Sequence, residues 1–377
     1  MIKKHLVFVG GGHAHLTAMV RMRDYTDHGH RVTVISPDAY QYYSGMGPGM
    51  LSGIYRPQDI RFNIRKMTED RDGIFVEDRV VRIDPLQKML VLASGSRLAY
   101  DVVSFNIGSE VSHGSLDNCA ENVYTVKPIV NLLRARKDIE ERIRRAALRI
   151  VVVGGGPAGV EIAGNVWRLV HDSHGKAEIN LVAGRRLLRG LPDRVCSLTT
   201  QSFRERGITV VEGRHVSAIG KDNVVFDDST SLSFDVAFVS TGVKPATIFR
   251  ESGLPVGNDG GLLVNHCLQS VQYPDIFGGG DCISLDGYQL AKVGIFAVRE
   301  NMILYKNLMA SLDGGDMMTF TPQSHYMLIF NLGNNKGILW KKNLVWHGRI
   351  AFLLKDYIDR KFMRTFQVSG EQGSVDI

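Results

Sequence analysis

The sequence predicts an α/β protein made of two parallel-sheet domains of the same design, followed by a small C-terminal module. Three observations carry this expectation. A strand, glycine turn, helix, strand unit at the N-terminus recurs 144 residues later, counted from Gly10 to Gly154. The chain has 377 residues, more than one hydrophobic core normally organises. Residues 316–377 differ from the rest in charge and pattern.

Composition excludes several classes. With 44% hydrophobic and 22% charged residues the chain is ordinary for a soluble globular protein and unlike a disordered one. Its 40 glycines fall far short of a collagen-like share, and they cluster, so they mark special loops. The four cysteines (Cys119, Cys196, Cys267 and Cys282) are far apart and form no CxxC pair. Neither a disulfide framework nor a cysteine zinc site is expected, and a reducing, cytoplasmic compartment is. No stretch approaches the roughly 20 apolar residues of a membrane span. The N-terminus runs directly into a strand pattern, and no signal peptide is expected. Residues 336–366 hold eight Lys and Arg against two Asp, which accounts for the whole net charge of +6. A balanced body with a basic tail does not fit a nucleic-acid binder.

The elements follow in order. Residues 5–9 are an apolar run, Gly10-Gly11-Gly12 a turn, residues 14–24 a helix, and 31–35 (RVTVI) the second strand. In the second unit these are residues 149–153 (RIVVV), Gly154-Gly155-Gly156, a helix over 158–171 and a strand over 178–182. Both units read as Rossmann-type βαβ units. Shorter strands are expected at 80–83, 89–92, 102–105, 209–212, 224–226 and 236–240. Residues 134–147 are charged and helical and lead into the second glycine turn, so a boundary falls near residue 115. A further helix is expected over 292–311. The division is then 1–115 with 255–315 for the first, discontinuous dinucleotide domain, 116–254 for the second, and 316–377 for the C-terminal module.

A GxGxxG loop lets backbone approach a pyrophosphate, and the following helix N-terminus supplies free N–H groups and partial positive charge. Gly154, Gly156 and Gly159 fit this pattern fully. Gly10 and Gly12 fit, but His15 stands where the third glycine belongs, so the helix must sit differently there. His13 and His15 form an H-x-H pair with no further ligand indicated; no metal is expected, and packing or capping is the plainer reading. The acid that usually meets the adenosine ribose is Ser36 in the first unit. In the second it is replaced by Ala183, with Arg185 and Arg186 just beyond. Arginines there can take a 2′-phosphate, as in NADPH, or can simply be solvated.

These loops, with Ser240-Thr241-Gly242-Val243-Lys244-Pro245 and Ile276-Phe277-Gly278-Gly279-Gly280-Asp281-Cys282, resemble the FAD-dependent pyridine nucleotide–disulfide oxidoreductase superfamily over nearly the whole chain. The resemblance implies FAD at the first loop, with His13 beside it, and NADH or NADPH at the second. It places Gly280 and Asp281 on the ribityl and phosphate part of FAD, Gly108 (in FNIGS, 105–109) on a strand returning to the flavin, and Val80 against adenine. Gly242 lies in the corresponding turn of the second domain. The disulfide branch needs two cysteines after the first unit, where this chain has Tyr42-Tyr43-Ser44-Gly45-Met46, so a dithiol relay is excluded.

Residues 154–163 (GGGPAGVEIA) resemble the type II NADH dehydrogenase branch. Ile295 stands where that branch has a glutamine lining its quinone pocket. Lys292 resembles a lysine of sulfide:quinone reductases, where a cation would stabilise reduced flavin; a surface salt bridge is the competing reading. Glu161 corresponds to a glutamate near the nicotinamide and either orients the cofactor or faces solvent. The nearest likeness is to a narrower bacterial group, some of whose members are fused to selenophosphate synthetase. The implied activity is hydride transfer from NAD(P)H to flavin and electron delivery to a quinone-like small-molecule acceptor, with Lys292 and Glu161 as candidate catalytic residues. A sulfide:quinone-reductase-like flavoprotein and a non-catalytic FAD/NAD(P)H-binding redox sensor remain alternatives.

In the tail, Ile350, Leu353, Leu354, Tyr357, Ile358, Phe362 and Phe366 recur at spacings of three and four, with Lys355, Asp356, Asp359, Arg360 and Arg364 assigned to the opposite side. This amphipathic basic helix suits either the surface of an anionic membrane, making the protein peripheral on the cytoplasmic face, or packing on the body or on a second subunit in a homodimer.

Overall fold

A computed structural model describes residues 3–111 and 120–371. Cys119 and the boundary expected near residue 115 lie outside the described residues.

The first sheet has five parallel strands in the order Ile276–Gly278, Val102–Phe105, His5–Val9, Arg31–Ser36, Ile74–Glu77. The second has five parallel strands in the matching order Val123–Thr125, Val236–Val239, Leu148–Val153, Ala177–Gly184, Ile208–Glu212. The central strands are almost continuous runs of Val, Ile, Leu and Phe because both faces of a parallel sheet are covered, in the second sheet by helices on one face and by Val224, Phe226 and Phe234 on the other; Leu6, Val7, Phe8, Val34, Ile150 and Val152 are fully buried. In each sheet the glycine-loop strand lies between its own successor and a strand from much later in the chain. That reversal of strand order opens a crevice at the carboxyl ends, where such folds bind ligands.

The repeat extends further than the glycine loops. Each sheet is accompanied by a three-stranded antiparallel sheet inserted before its returning strand: Val80–Asp84, Met89–Leu92 and Arg97–Ala99 in the first, and Val216–Ile219, Asn223–Phe226 and Ser231–Ser233 in the second. The C-terminal residues form a third antiparallel sheet, Leu328–Asn331, Gly337–Lys341 and Leu344–Gly348, followed by the helix Arg349–Phe366.

Most expected elements fall within a few residues of their places, with the second loop's helix at Pro157–Asp172 and the late helix at Gly294–Asp313. The helix expected over 134–147 begins earlier and spans Val130–Arg142. The helix expected over 14–24 is broken into a 3-10 turn at His13–His15 and two short helices, Leu16–Val20 and Met22–Asp27, with Arg21 between them at φ −99° and ψ 24°. A small hairpin, Tyr40–Tyr42 with Arg61–Asn63, had no sequence signal, since three-residue strands are too short to show alternation.

The tail helix is oriented differently from expectation. Lys355 and Asp359 are buried against the body, while Leu353 (61% exposed) and Tyr357 (62% exposed) face outward with Ile350, Leu354 and Ile358. Lys355 and Asp359 face inward because the body supplies partners. The Lys355 Nζ donates to the Gly45 carbonyl (2.6 Å) and to Asp359 Oδ2 (2.7 Å), and the Tyr43 hydroxyl donates to Asp359 Oδ1 (3.1 Å).

Candidate functional site

A cleft of about 1360 Å³ runs along the carboxyl end of the first sheet and on to the second loop's helix. Gly10, Gly12, His13, Ser36, Val80, Gly108, Gly280, Asp281, Lys292 and Glu161 all line it. Gly154, Gly156, Gly159, Arg185 and Gly242 do not; they sit at the carboxyl end of the second sheet, and only Pro157, Ala158, Glu161 and Ile162 of that region reach the cleft. The volume exceeds the usual range for drug-sized ligands, as an extended dinucleotide requires.

At Gly10 the backbone has φ +86°, and a Cβ would lie 2.4 Å from the Asn106 carbonyl oxygen, so the turn tolerates only glycine. In the second loop a Cβ on Gly159 would lie 1.8 Å from the Gly154 carbonyl oxygen, whereas the space around Gly156 is open. The first loop lacks that third glycine and has His15 in its place. His15 is fully buried; its Nδ1 lies 2.7 Å from the Gly10 carbonyl oxygen and its Nε2 2.8 Å from Ser104 Oγ. Both ring nitrogens are therefore occupied, and burial lowers its pKa to about 4 despite the Gly10 hydrogen bond. His15 is a neutral packing residue, which answers the H-x-H question for that half of the pair.

His13 faces the cleft. Burial lowers its pKa to about 4, opposed by Asp281 and reinforced by Lys127. Its Nε2 and the Nδ2 of Asn106, both on cleft-lining residues, are buried without a hydrogen-bond partner. A buried polar group left unpaired costs about 1–3 kcal/mol, so these atoms are suited to a polar ligand. Asp281 also lines the cleft; its Oδ2 accepts from Ser109 Oγ (2.9 Å) and from Lys127 Nζ (2.6 Å). Lys127 was not among the residues singled out in the sequence, because no loop motif surrounds it.

Lys292 lines the cleft, but its ammonium is 2.5 Å from the Ile283 carbonyl oxygen and 2.7 Å from Asp259 Oδ2. The salt-bridge reading thus describes its charge. Beneath the Gly280-Asp281 turn, Glu300 accepts from the Gly280 N–H (2.5 Å), and burial pushes its pKa up to about 7.

Glu161 is half-buried in the cleft wall and tied to the body. Its Oε1 accepts from the Asn331 N–H (2.8 Å), and burial raises its pKa to about 7 against the opposing charge of Lys355. Burial acts to lower the Lys355 ammonium, but Asp359 and Glu161 outweigh it and hold it above its ordinary value. The cleft wall therefore carries a carboxyl that can hold or release a proton near neutrality, beside a permanently charged lysine. Two cysteine thiols are held protonated: burial pushes Cys282 up to about 12, and burial likewise raises Cys196.

At the second loop, Arg186 Nη2 pairs with Asp193 Oδ1 (2.6 Å). Arg185 is exposed and has no ion-pair partner among the described residues. The nearby Glu212 carboxylate is taken by the Leu187 N–H (2.6 Å).

The buried carboxyls yield a stability prediction. A carboxyl with pKa about 7 folded and about 4.5 unfolded binds more protons in the folded state between those values, so its burial costs stability as pH rises through that window. His13 and His15, lowered to about 4, act in the opposite sense below about 6.5. The double variant Glu161→Gln/Glu300→Gln is expected to gain melting temperature over wild type progressively from pH 5 to pH 7.5. A difference that stays constant with pH across that range would contradict it.

The glycine loops, the Gly-Asp turn and the paired sheets define a two-dinucleotide flavoprotein architecture, and the comparisons agree. The chain belongs to the pyridine nucleotide-disulphide oxidoreductase family, whose model matches residues 4–298. Among curated relatives, an external alternative NAD(P)H-ubiquinone oxidoreductase B1 of Solanum tuberosum mitochondria is 24% identical over 328 residues, covering 76% of this chain and 56% of the relative. Ferroptosis suppressor protein 1 of Taeniopygia guttata is 25% identical over 309 residues, 79% of each chain. This chain thus spans little more than half the length of the plant enzyme. Among solved structures, NDH2 from Plasmodium falciparum in complex with NADH superposes with a TM-score of 0.82 at 16% identity, covering 98% of both chains. The sulfide:quinone oxidoreductase of Aquifex aeolicus does so at 0.79 and 17% identity, covering 97% of this chain and 91% of that one. At these identities the structures establish the shared fold.

Proposed function

We propose that this chain is an FAD-dependent NAD(P)H:acceptor oxidoreductase whose acceptor is quinone-like. The observation that carries it is the single cleft joining the first glycine loop and Asp281 to the Glu161 face of the second loop's helix, with His13 Nε2 and Asn106 Nδ2 unpartnered at one end. Bound there, FAD would accept a hydride from the nicotinamide and pass electrons onward. Gly10 and Gly12 allow close backbone approach to its pyrophosphate, Asp281 and Asn106 meet its polar middle, and Val80 and Ser36 line the adenosine end. The Glu161 carboxyl, whose Oε1 accepts from the Asn331 N–H, can hold a proton near neutrality and is placed to orient or protonate what occupies that face. The division into 1–115 with 255–315, 116–254 and 316–377 belongs to the same reading. The names of the curated relatives support a quinone acceptor.

The test is the purified protein's flavin content, the bleaching of flavin absorbance by NADH and NADPH, and steady-state turnover with a soluble quinone. A protein that binds FAD and is reduced but never turns over would favour the sensor reading. The free Arg185 supports acceptance of NADPH as well as NADH. Arg185→Leu is expected to raise the KM for NADPH about tenfold, a loss of roughly 1.4 kcal/mol, while leaving that for NADH nearly unchanged; equal effects on both would remove the 2′-phosphate role.

Peripheral membrane contact through the tail is part of this proposal. Ile350, Leu353, Leu354, Tyr357 and Ile358 form an exposed stripe, with Leu344 and Trp346 also exposed and Lys361 and Arg364 exposed further along the same helix. An exposed apolar stripe flanked by cations suits the headgroup region of an anionic bilayer, where a lipid-soluble acceptor is found. Among the described residues no helix is long and apolar enough to cross a membrane.

A further inference from the structure

Of the four lysines that line the cleft, Lys127 and Lys292 differ in what holds their charge. Lys292 is matched by Asp259, away from the Gly280-Asp281 turn's own carboxylate. Lys127 reaches from the end of the strand Val123–Thr125 in the second sheet to Asp281 in the first. Its backbone is fixed on both sides: the Val126 N–H donates to the Val239 carbonyl (3.1 Å), and the Thr125 hydroxyl donates to the Lys127 carbonyl (2.7 Å). Its ammonium donates to Asp281 Oδ2 (2.6 Å) and Ser109 Oγ (2.8 Å). An ammonium has three protons, so one remains. The side chain is only 27% exposed and Asp281 only 14%, which makes the pair stronger than a surface ion pair.

Asp281 poses an electrostatic difficulty that Lys127 resolves. A carboxylate at the middle of a site for a pyrophosphate-bearing cofactor would repel it unless its charge were matched. His13, neutral at pH 7, cannot match it. We propose that Lys127, and not Lys292, is the cation of the flavin site: it fixes the Asp281 carboxylate for the cofactor's ribityl region and favours the negative charge that the cofactor gains on reduction. This rests on the FAD reading above. Lys127 is accordingly a positioning residue acting through Asp281, and its field adds to the cofactor's reduction potential. Because it comes from the second sheet, it also ties the two sheets together across the cleft.

The experiment uses the full chain as holoenzyme, with Lys127→Met, Lys127→Gln, Lys127→Arg and Lys292→Met. Two quantities are measured: the FAD dissociation constant, and the flavin midpoint potential by equilibration with reference dyes. The two neutral variants at Lys127 are expected to weaken FAD binding about tenfold. They should also lower the midpoint potential by about 30 mV, which is a tenfold loss of preference for the two-electron reduced cofactor. Lys127→Arg should restore most of the potential. A merely structural lysine would affect binding without moving the potential. An unchanged potential in both neutral variants, or a larger shift in Lys292→Met, would overturn the assignment. Wild-type protein that holds no FAD would instead sink the reading beneath it.

Discussion

Asp281→Ala is expected to leave the purified protein with about a tenth or less of its FAD. The carboxylate accepts from Ser109 and Lys127 and stands beside the unpartnered His13 and Asn106 nitrogens. A hydrogen bond to a charged group is worth roughly 1.5–3 kcal/mol, and about 1.4 kcal/mol is tenfold in affinity. Equilibrium dialysis against FAD measures this directly. Undiminished FAD retention in the variant would show that the cofactor's polar middle lies elsewhere.

Deleting residues 349–377 is expected to cost both flavin and solubility. From the sequence, a membrane-surface helix over 343–366 could be lost with residues 343–377 while FAD stays bound, whereas a helix packed on the body could not. The helix is packed on the body. Lys355, Ile358, Asp359 and Phe362 line the cleft, and the Phe362 ring lies 4.8 Å from that of Tyr43 and 6.0 Å from that of His13. Truncation would strand Glu161 and Tyr43 without the buried lysine and aspartate that face them. Leaving a buried polar group without its partner costs roughly 1–3 kcal/mol. A gentler change separates lipid contact from cofactor binding. Leu353→Glu/Tyr357→Glu adds charge only to the outward stripe. It should abolish sedimentation with anionic vesicles while FAD content stays at the wild-type level. Sedimentation that survives both added charges would show that another surface touches the membrane.

The repeat was readable because a glycine turn between β-branched runs admits few other structures. Gly10, Gly154 and Gly159 are each demanded by a contact under 2.8 Å or by positive φ. Cleft-lining positions such as Ser36, Val80, Gly108 and Asp281 were likewise reachable through short motifs at fixed places in the fold. Lys127 was not. Its partner is 154 residues away, and nothing local distinguishes it from a solvated lysine. The tail helix was recognised, but its facing was not. Periodicity sorts apolar from polar positions, yet it cannot know that Tyr43, Gly45 and Glu161 would offer a lysine and an aspartate better company than water. Lys292 shows the converse. A motif likeness gave it a charge to spend on the cofactor, and the tertiary structure assigned that charge to Asp259.

The histidine in place of the third glycine binds two distant codons to one another. His15 joins the Gly10 carbonyl to Ser104, 89 residues away, inside a fully buried contact. Restoring the usual glycine alone would empty a ring-sized space and leave the Ser104 hydroxyl unmatched. Replacing Ser104 alone with an apolar residue would strand an imidazole nitrogen. Neither single step is neutral, so descent within the lineage should preserve the pair or exchange both together, and an alignment of related chains should show positions 15 and 104 changing in concert.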